Sequence, residues 1–363
     1  MKFYICFSGK IIRTVFSGLL AAGLSACVKD KPNPPDYPLP EQTERIALIA
    51  NEGAFGNGNA ALSVFDFEKD SLYNNVFFNK NQQHLGDVLQ SITEVKDYIF
   101  LAVNNSDKIT VINRHDFSFI KSIPVRKPRY MLQVSPEKLY VTSLYYPEIN
   151  IIDLNTLEPI GKIDTDFPNT EGLMLQDGKV YACNWNIACN YIYEIDPEHD
   201  RIIGRIPIAG YAPQQIVADR EGELWVLAGN VQQQAPASLS RISSSGELTR
   251  SYFFPSGADI IKPVFNSTRD TLYYIGVNYD GDTENNGIYR MRIDAEHLPQ
   301  EAFIAAQPLQ YFWGLGIDSL TGKIFIGDPK GFIQQGSIGI YNAEGLRLAT
   351  YTTGVGPGYF YFE

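Results

Sequence analysis

YMLQVSPEKLYVTSLYYPEINIIDLNTLEPIGKI, from Tyr130 to Ile163, decides the fold of this chain. It holds four short runs: Tyr130-Met131-Leu132-Gln133-Val134, Leu139-Tyr140-Val141-Thr142, Asn150-Ile151-Ile152-Asp153 and Pro159-Ile160-Gly161-Lys162-Ile163. Each has the length and the β-branched or aromatic content of a strand, and Pro, Ser, Asn or Asp stands between them. Strands this close, joined by short connections, read as one antiparallel sheet.

The second run has counterparts along the chain. They are Ile46-Ala47-Leu48-Ile49, Ile99-Phe100-Leu101-Ala102, Val180-Tyr181-Ala182-Cys183, Leu224-Trp225-Val226-Leu227, Leu272-Tyr273-Tyr274-Ile275 and Ile324-Phe325-Ile326-Gly327. With Leu139 included, their starts are separated by 53, 40, 41, 44, 48 and 52 residues. A period of about 40–50 residues made of strands is the signature of a propeller. Third strands such as Ser63-Val64-Phe65-Asp66, Thr110-Val111-Ile112-Asn113 and Tyr193-Glu194-Ile195-Asp196 end on Asp or Asn, which can hold the following turn. The first unit has no strand ahead of it. The terminal Gly358-Tyr359-Phe360-Tyr361-Phe362 has no unit behind it. Joined, the two ends complete one sheet and close a ring. We therefore predict an all-β fold over residues 44–363, a seven-bladed β-propeller with four antiparallel strands per blade. A six-bladed ring with a stray domain is the structural alternative. No 3.6-residue apolar spacing outside the leader points to a helical domain.

Residues 1–26 read as a signal peptide, with Lys2, Lys10 and Arg13 ahead of an apolar run from Val15 to Leu24. Leu24-Ser25-Ala26-Cys27 resembles the lipobox of bacterial lipoproteins, which implies lipidation of Cys27. Residues 27–43 then form a proline-rich spacer. Val28-Lys29-Asp30-Lys31 resembles the charged export signal of surface-exposed lipoproteins, which implies an outer-membrane anchor facing the cell exterior. Loss of the leader's three positive charges takes the formal net charge from −11 to −14. That charge excludes nucleic acid as a partner, because a phosphate backbone needs Lys/Arg patches. Cys183 and Cys189 remain. In an exported chain they are expected to form a disulfide.

Catalytic signatures are thin. Only four histidines occur, and no nucleophile elbow, zinc-protease helix or phosphate loop is present. No metal site, no catalytic residue and no catalytic cofactor are expected. Ligands of a propeller gather where the loops between second and third strands meet the loops entering each first strand. Those loops carry Asn51, Phe55, Asn57, Asn104, Tyr145, Tyr146, Asn184, Trp185, Asn186, Tyr211, Gln214, Asn230, Tyr279, Tyr311, Trp313, Phe332 and Tyr359. Carboxamides hydrogen-bond without titrating, and aromatic faces stack on flat rings. The set suits a large, rigid ligand decorated with amides.

Asn51-Glu52-Gly53-Ala54-Phe55-Gly56-Asn57-Gly58-Asn59-Ala60-Ala61-Leu62-Ser63 resembles the opening motif of Bacteroidota lipoprotein propellers of the YncE and YVTN-repeat group. Within it the chain is similar to the BtuG-type surface proteins. That resemblance implies a protein that binds cobalamin or another corrinoid and passes it to a TonB-dependent outer-membrane transporter. Two other readings stay open. One is a glycan- or protein-binding propeller. The other is a lactonase- or lyase-type enzyme drawing on Glu52, Glu171, Asp280 and Asp328.

Overall fold

The computed structural model describes residues 39–40, 45–279 and 284–363. The leader, Cys27, most of the spacer and Asp280 lie outside the described residues.

Seven four-stranded antiparallel sheets are present. Blade 1 joins β1 (Ile46–Asn51), β2 (Ala61–Asp66) and β3 (Ser71–Tyr73) to the last strand, β28 (Pro357–Phe362). Blade 2 holds β4 (Leu89–Val95), β5 (Tyr98–Val103), β6 (Lys108–Asn113) and β7 (Phe119–Pro124). Blade 3 holds β8 (Pro128–Gln133), β9 (Lys138–Ser143), β10 (Glu148–Asp153) and β11 (Glu158–Asp164). Blade 4 follows with β12 (Thr170–Gln176), β13 (Lys179–Asn184), β14 (Tyr191–Asp196) and β15 (Arg201–Pro207). Blade 5 has β16 (Pro213–Ala218), β17 (Leu224–Asn230), β18 (Ala235–Ile242) and β19 (Leu248–Phe253). Blade 6 has β20 (Asp259–Phe265), β21 (Thr271–Val277), β22 (Gly287–Arg292) and β23 (Ile304–Ala305). Blade 7 has β24 (Gly314–Ile317), β25 (Ile324–Asp328), β26 (Ser337–Tyr341) and β27 (Arg347–Thr352). The predicted seven-bladed ring is the observed one.

The innermost strands establish closure. β4, β8, β12, β16, β20, β24 and β28 each touch the next, and β28 touches β4. β28 pairs with β1 in the register Ala47↔Phe362, Leu48↔Tyr361 and Ile49↔Phe360, so both chain ends share one sheet. This leaves no open edge at the junction.

Packing explains why second strands read as unbroken apolar runs. A blade is covered on both faces by its neighbours, and β17 is buried at every position. The outer strand β11, by contrast, buries only Ile163. Seven apolar clusters fill the spaces between adjacent blades. Blades 4 and 5, for example, interlock through Tyr181, Ile192 and Ile206 against Ile216, Leu224 and Val226. Phe65 of blade 1 meets Phe325 of blade 7 edge-on, with centroids 5.5 Å apart. The terminal Asx residues act as expected: Asp66 Oδ1 accepts from the amides of Glu68 and Lys69, and Asp153 Oδ1 from those of Asn155 and Thr156.

One element was not foreseen. A six-residue helix, α1 (Val76–Asn81), links β3 to β4 and inserts Val76 and Phe77 between blades 1 and 2. Six residues are too few to show helical periodicity in a sequence. The expected Cys183–Cys189 disulfide is not formed: both thiols are free and buried. Cys183 packs in the cluster between blades 4 and 5, whereas Cys189 Sγ turns to the Tyr191 carbonyl at 3.2 Å. Among the described residues, no helix is long and apolar enough to cross a membrane.

Candidate functional site

All seven loops between second and third strands reach one cavity of about 440 Å³. Glu52 and Phe55 come from blade 1, Asn104 from blade 2, Leu144 from blade 3 and Trp185 from blade 4. Asn230, Tyr279 and Phe332 come from blades 5, 6 and 7. Its floor is made by the first strands, and a backbone device places their side chains. The pairing register slips at Gln90 in β4, at Arg129 and Tyr130 in β8, and at Glu171 and Gly172 in β12. It slips again at Gln214 in β16 and at Lys262 and Pro263 in β20. A bulged residue leaves the ladder and is re-aimed by the local bend. Gln90, Arg129, Tyr130, Glu171, Gln214 and Lys262 all line the cavity.

The floor is charged, and it holds Glu52 and Glu171, two carboxylates of the enzyme reading. Arg129 grips Glu171 with two hydrogen bonds, Nε to Oε1 at 2.8 Å and Nη2 to Oε2 at 3.1 Å. Its Nη1 donates to Gln90 Oε1. Trp313 Nε1 donates to Glu52 Oε1 at 2.8 Å, and Lys262 Nζ lies 5.9 Å from the centroid of the Trp313 ring. Gly358 permits this approach, because a Cβ there would stand 2.3 Å from Glu52 Oε1. Burial raises the pKa values of Glu52 and Glu171, although Lys262 and Arg129 respectively oppose the shift. Burial lowers that of Lys262 and pushes Asp259 up to about 6, against a hydrogen bond from Tyr279.

The sequence-derived residues fall into three groups, of which the first two share Asn104 and Asn230. Phe55, Asn104, Trp185, Gln214, Asn230, Tyr279, Trp313 and Phe332 line the cavity. Of these, Phe55 is 79% and Tyr279 44% exposed; Tyr145 and Tyr211, at 67% and 52%, are exposed but do not line the cavity. A second group braces the loops. Asn51 donates to Ser63 Oγ at 2.8 Å, Asn184 to the Phe167 carbonyl at 2.7 Å and Asn104 to the Pro128 carbonyl at 3.0 Å. Asn230 Oδ1 accepts from the Gln233 amide, and Asn186 Oδ1 from the Ala188 amide. These amides satisfy loop backbone, which is why Asx residues are enriched there. The rest do not line the cavity. Tyr146 lies under the Arg126 guanidinium at 3.9 Å, Tyr311 sits edge-on to Tyr279 at 5.9 Å, Tyr359 packs against the cluster between blades 1 and 2, and Asn57 is exposed.

The residues missed by sequence reading are Val88, Gln90, Gln215, Asp259, Ile261 and Lys262. They lie in first strands or, for Val88, just before one, where no local pattern marks a bulge. A second hollow of about 490 Å³ opens where the turns between first and second strands meet, lined by Gln176, Asp177, Arg220 and Arg269. Asp219, Glu221 and Glu223 cluster near it with metal-ligand spacing, yet Arg241 already sits among all three. A guanidinium there takes the place a cation would fill.

Residues 47–362 match the domain of unknown function DUF5074. The chain belongs to the DUF5074 family. No curated protein matches it in sequence. Its fold is similar to that of a quinoprotein alcohol dehydrogenase-like protein from Bacteroides thetaiotaomicron. The TM-score is 0.66 at 16% identity, covering 89% of this chain and 79% of that one. It also resembles apo AztD from Citrobacter koseri, with TM-score 0.58, 10% identity and coverage of 88% and 98%. Kuenenia stuttgartiensis hydrazine synthase gives TM-score 0.56 and 14% identity, with coverage of 74% and 87%. At such identities the likeness of this DUF5074 propeller to these structures is one of fold.

Proposed function

We propose that this propeller captures a corrinoid, cobalamin or a close relative, at the mouth of its cavity. Held to the outer membrane through a lipid on Cys27, it passes the ligand to a TonB-dependent transporter. One observation carries the reading: exposed rings line a cavity reached by a loop from every blade. Phe55 and Tyr279 offer stacking faces there, and Tyr145 and Tyr211 are exposed on two further loops. Large aromatic side chains bind flat ligands with little loss of rotamer freedom. The cavity is smaller than a whole corrinoid, so the ring system would lie across the mouth with one edge inserted. Such capture needs preorganised loops and no reacting group.

Calorimetric titration with cyanocobalamin, run beside a panel of oligosaccharides, tests this. Saturating cyanocobalamin at 100 times its Kd should stabilise the fold by about 2.7 kcal/mol. Heat and stabilisation from a sugar instead, with none from the corrinoid, would replace this reading with the glycan-binding one.

A second reading has one observation in its favour. Glu52 and Lys262 face a partly closed cleft with pKa values displaced toward neutrality, as in acid–base catalysis. An enzyme would turn over a lactone or uronate substrate and lose that turnover in Glu52→Gln. Absence of turnover across such a panel removes this second reading.

A further inference from the structure

Five acidic or basic side chains line the cavity; Asp259 is bonded to Tyr279, and the other four form two unlike pairs. Arg129 and Glu171 are closed on each other by two hydrogen bonds, and Gln90 takes a further guanidinium N–H. Glu52 and Lys262 attract one another but form no ion pair among the described residues. Trp313 stands between them. Its N–H holds Glu52 Oε1 at 2.8 Å, and the ammonium of Lys262 lies 5.9 Å from the ring centroid. Neither Glu52 Oε2 nor the Lys262 ammonium has a hydrogen-bond partner among the described residues, and both side chains line the cavity. Lys262 is kept there by a bulge with φ of 55°, a left-handed conformation that lysine rarely adopts.

An acceptor and a donor that both line one cavity and both meet Trp313 suit a group that carries the complementary pair. A primary carboxamide does so, its C=O accepting from Lys262 and its NH2 donating to Glu52. A carboxylate would meet Lys262 but place a second negative charge against Glu52, and an ammonium would repel Lys262. We propose that Glu52 and Lys262 form a subsite for a primary carboxamide at the leading edge of the ligand. The inference rests on the reading of this cavity as a ligand site. It narrows the ligand to one bearing an unsubstituted amide, and it assigns discrimination between amide and acid to two side chains. Charged partners make both bonds stronger than neutral ones.

The first test soaks crystals with propionamide or propionate. Propionamide should lie with its oxygen on Lys262 Nζ and its nitrogen on Glu52, and Lys262→Met should abolish that density. Propionate held there in preference, or no amide at the floor, overturns the subsite. The second test titrates cyanocobalamin and its monocarboxylate derivatives, each with one propionamide hydrolysed. Lys262→Met should weaken cyanocobalamin about tenfold or more. At least one monocarboxylate should bind wild type about tenfold more weakly than the amide, and Glu52→Gln should narrow that gap by removing the repulsion. Variants that bind cyanocobalamin like wild type overturn the assignment. If cyanocobalamin does not bind at all, the corrinoid reading fails, and the propionamide soak still decides the subsite.

Discussion

Arg129→Met measures what the closed pair on the floor contributes. The substitution keeps most of the side-chain volume and removes both bonds to Glu171, whose side chain is only 2% exposed. Glu171 would then be buried without its partner, near Glu52. Breaking a buried pair on one side costs about 3–5 kcal/mol, mostly because the remaining charge is stranded. With an unfolding entropy of about 2.1 cal/mol/K per residue, a chain of 363 residues should lose about 4–7 °C in Tm. The pH dependence follows from the sign of the shift. Burial already holds Glu171 above the ordinary carboxylate value, and Arg129 is the main influence pulling it down. Without Arg129 the folded-state pKa rises further. A carboxyl raised in this way contributes fully below its unfolded pKa, and its contribution is lost as pH rises through the folded one. The deficit should therefore be large at pH 8 and shrink toward pH 5. Arg129→Met with Glu171→Gln removes the stranded charge and should regain most of the loss. Calorimetry and urea unfolding at both pH values decide it. A deficit below about 1 kcal/mol, or one unchanged by pH, refutes the reasoning, as does a double variant no more stable than the single one.

Four further outcomes are expected. Glu363, pushed up to about 7 by burial and by Glu94, loses its stabilising contribution as pH rises through that value. Glu363→Gln should thus flatten the fall in urea midpoint between pH 5 and pH 8, and parallel curves for the two proteins would exclude this. Deleting residues 357–363 removes β28 and exposes the β1 edge, so the chain should aggregate or unfold without a cooperative transition, as read by light scattering and calorimetry. Phe55→Ala and Tyr211→Ala should leave stability within about 0.5 kcal/mol because both rings are exposed, while ligand affinity falls; an unchanged Kd would remove these rings from the site. Reducing agent should not move Tm, because Cys183 and Cys189 are free; a drop of about 2 kcal/mol or more would show a bridge.

How much of this was legible depends on the range of the interactions. Blade number followed from second strands, because the same burial on both faces selects the same apolar run seven times. Ring closure followed from an unpaired strand at each end. The position of the mouth followed from topology, and Phe55, Trp185 and Trp313 fell within it. The role of the asparagines did not follow. Asn51 and Asn184 carry the residue type of a ligand contact, but the amide of each is committed to nearby loop atoms. Residue type cannot separate these uses, since one carboxamide serves either partner. The thiols failed for a similar reason: their spacing permits a bridge, whereas the orientation of Cys189 toward Tyr191 arises only in the folded loop.

Glu52 and Glu171 were named as carboxylates of the enzyme reading, but their setting beside Arg129 and Lys262 was hidden for a deeper reason, and that reason bears on function. Arg129, Glu171 and Lys262 lie far apart in sequence, each in a strand that would be regular but for one bulge. The same irregularity recurs at Gln90 and Gln214, so neighbouring first strands share it. Ring packing alone gives no cause for it, since β24 pairs with β25 in regular register. A bulge removes ladder hydrogen bonds, and a charge turned into a narrow channel is desolvated. Both cost stability. A ring selected for stability alone would keep straight strands and line its channel with apolar side chains. Six of the seven first strands are bulged, β28 at Gly358 among them, and five of the six deliver a polar side chain to one floor, which argues for a ligand that reads the floor. The exposed rings at the mouth supply contact area with little selectivity. The floor, with one pair closed and one pair open, is where a single chemical group can be accepted or refused.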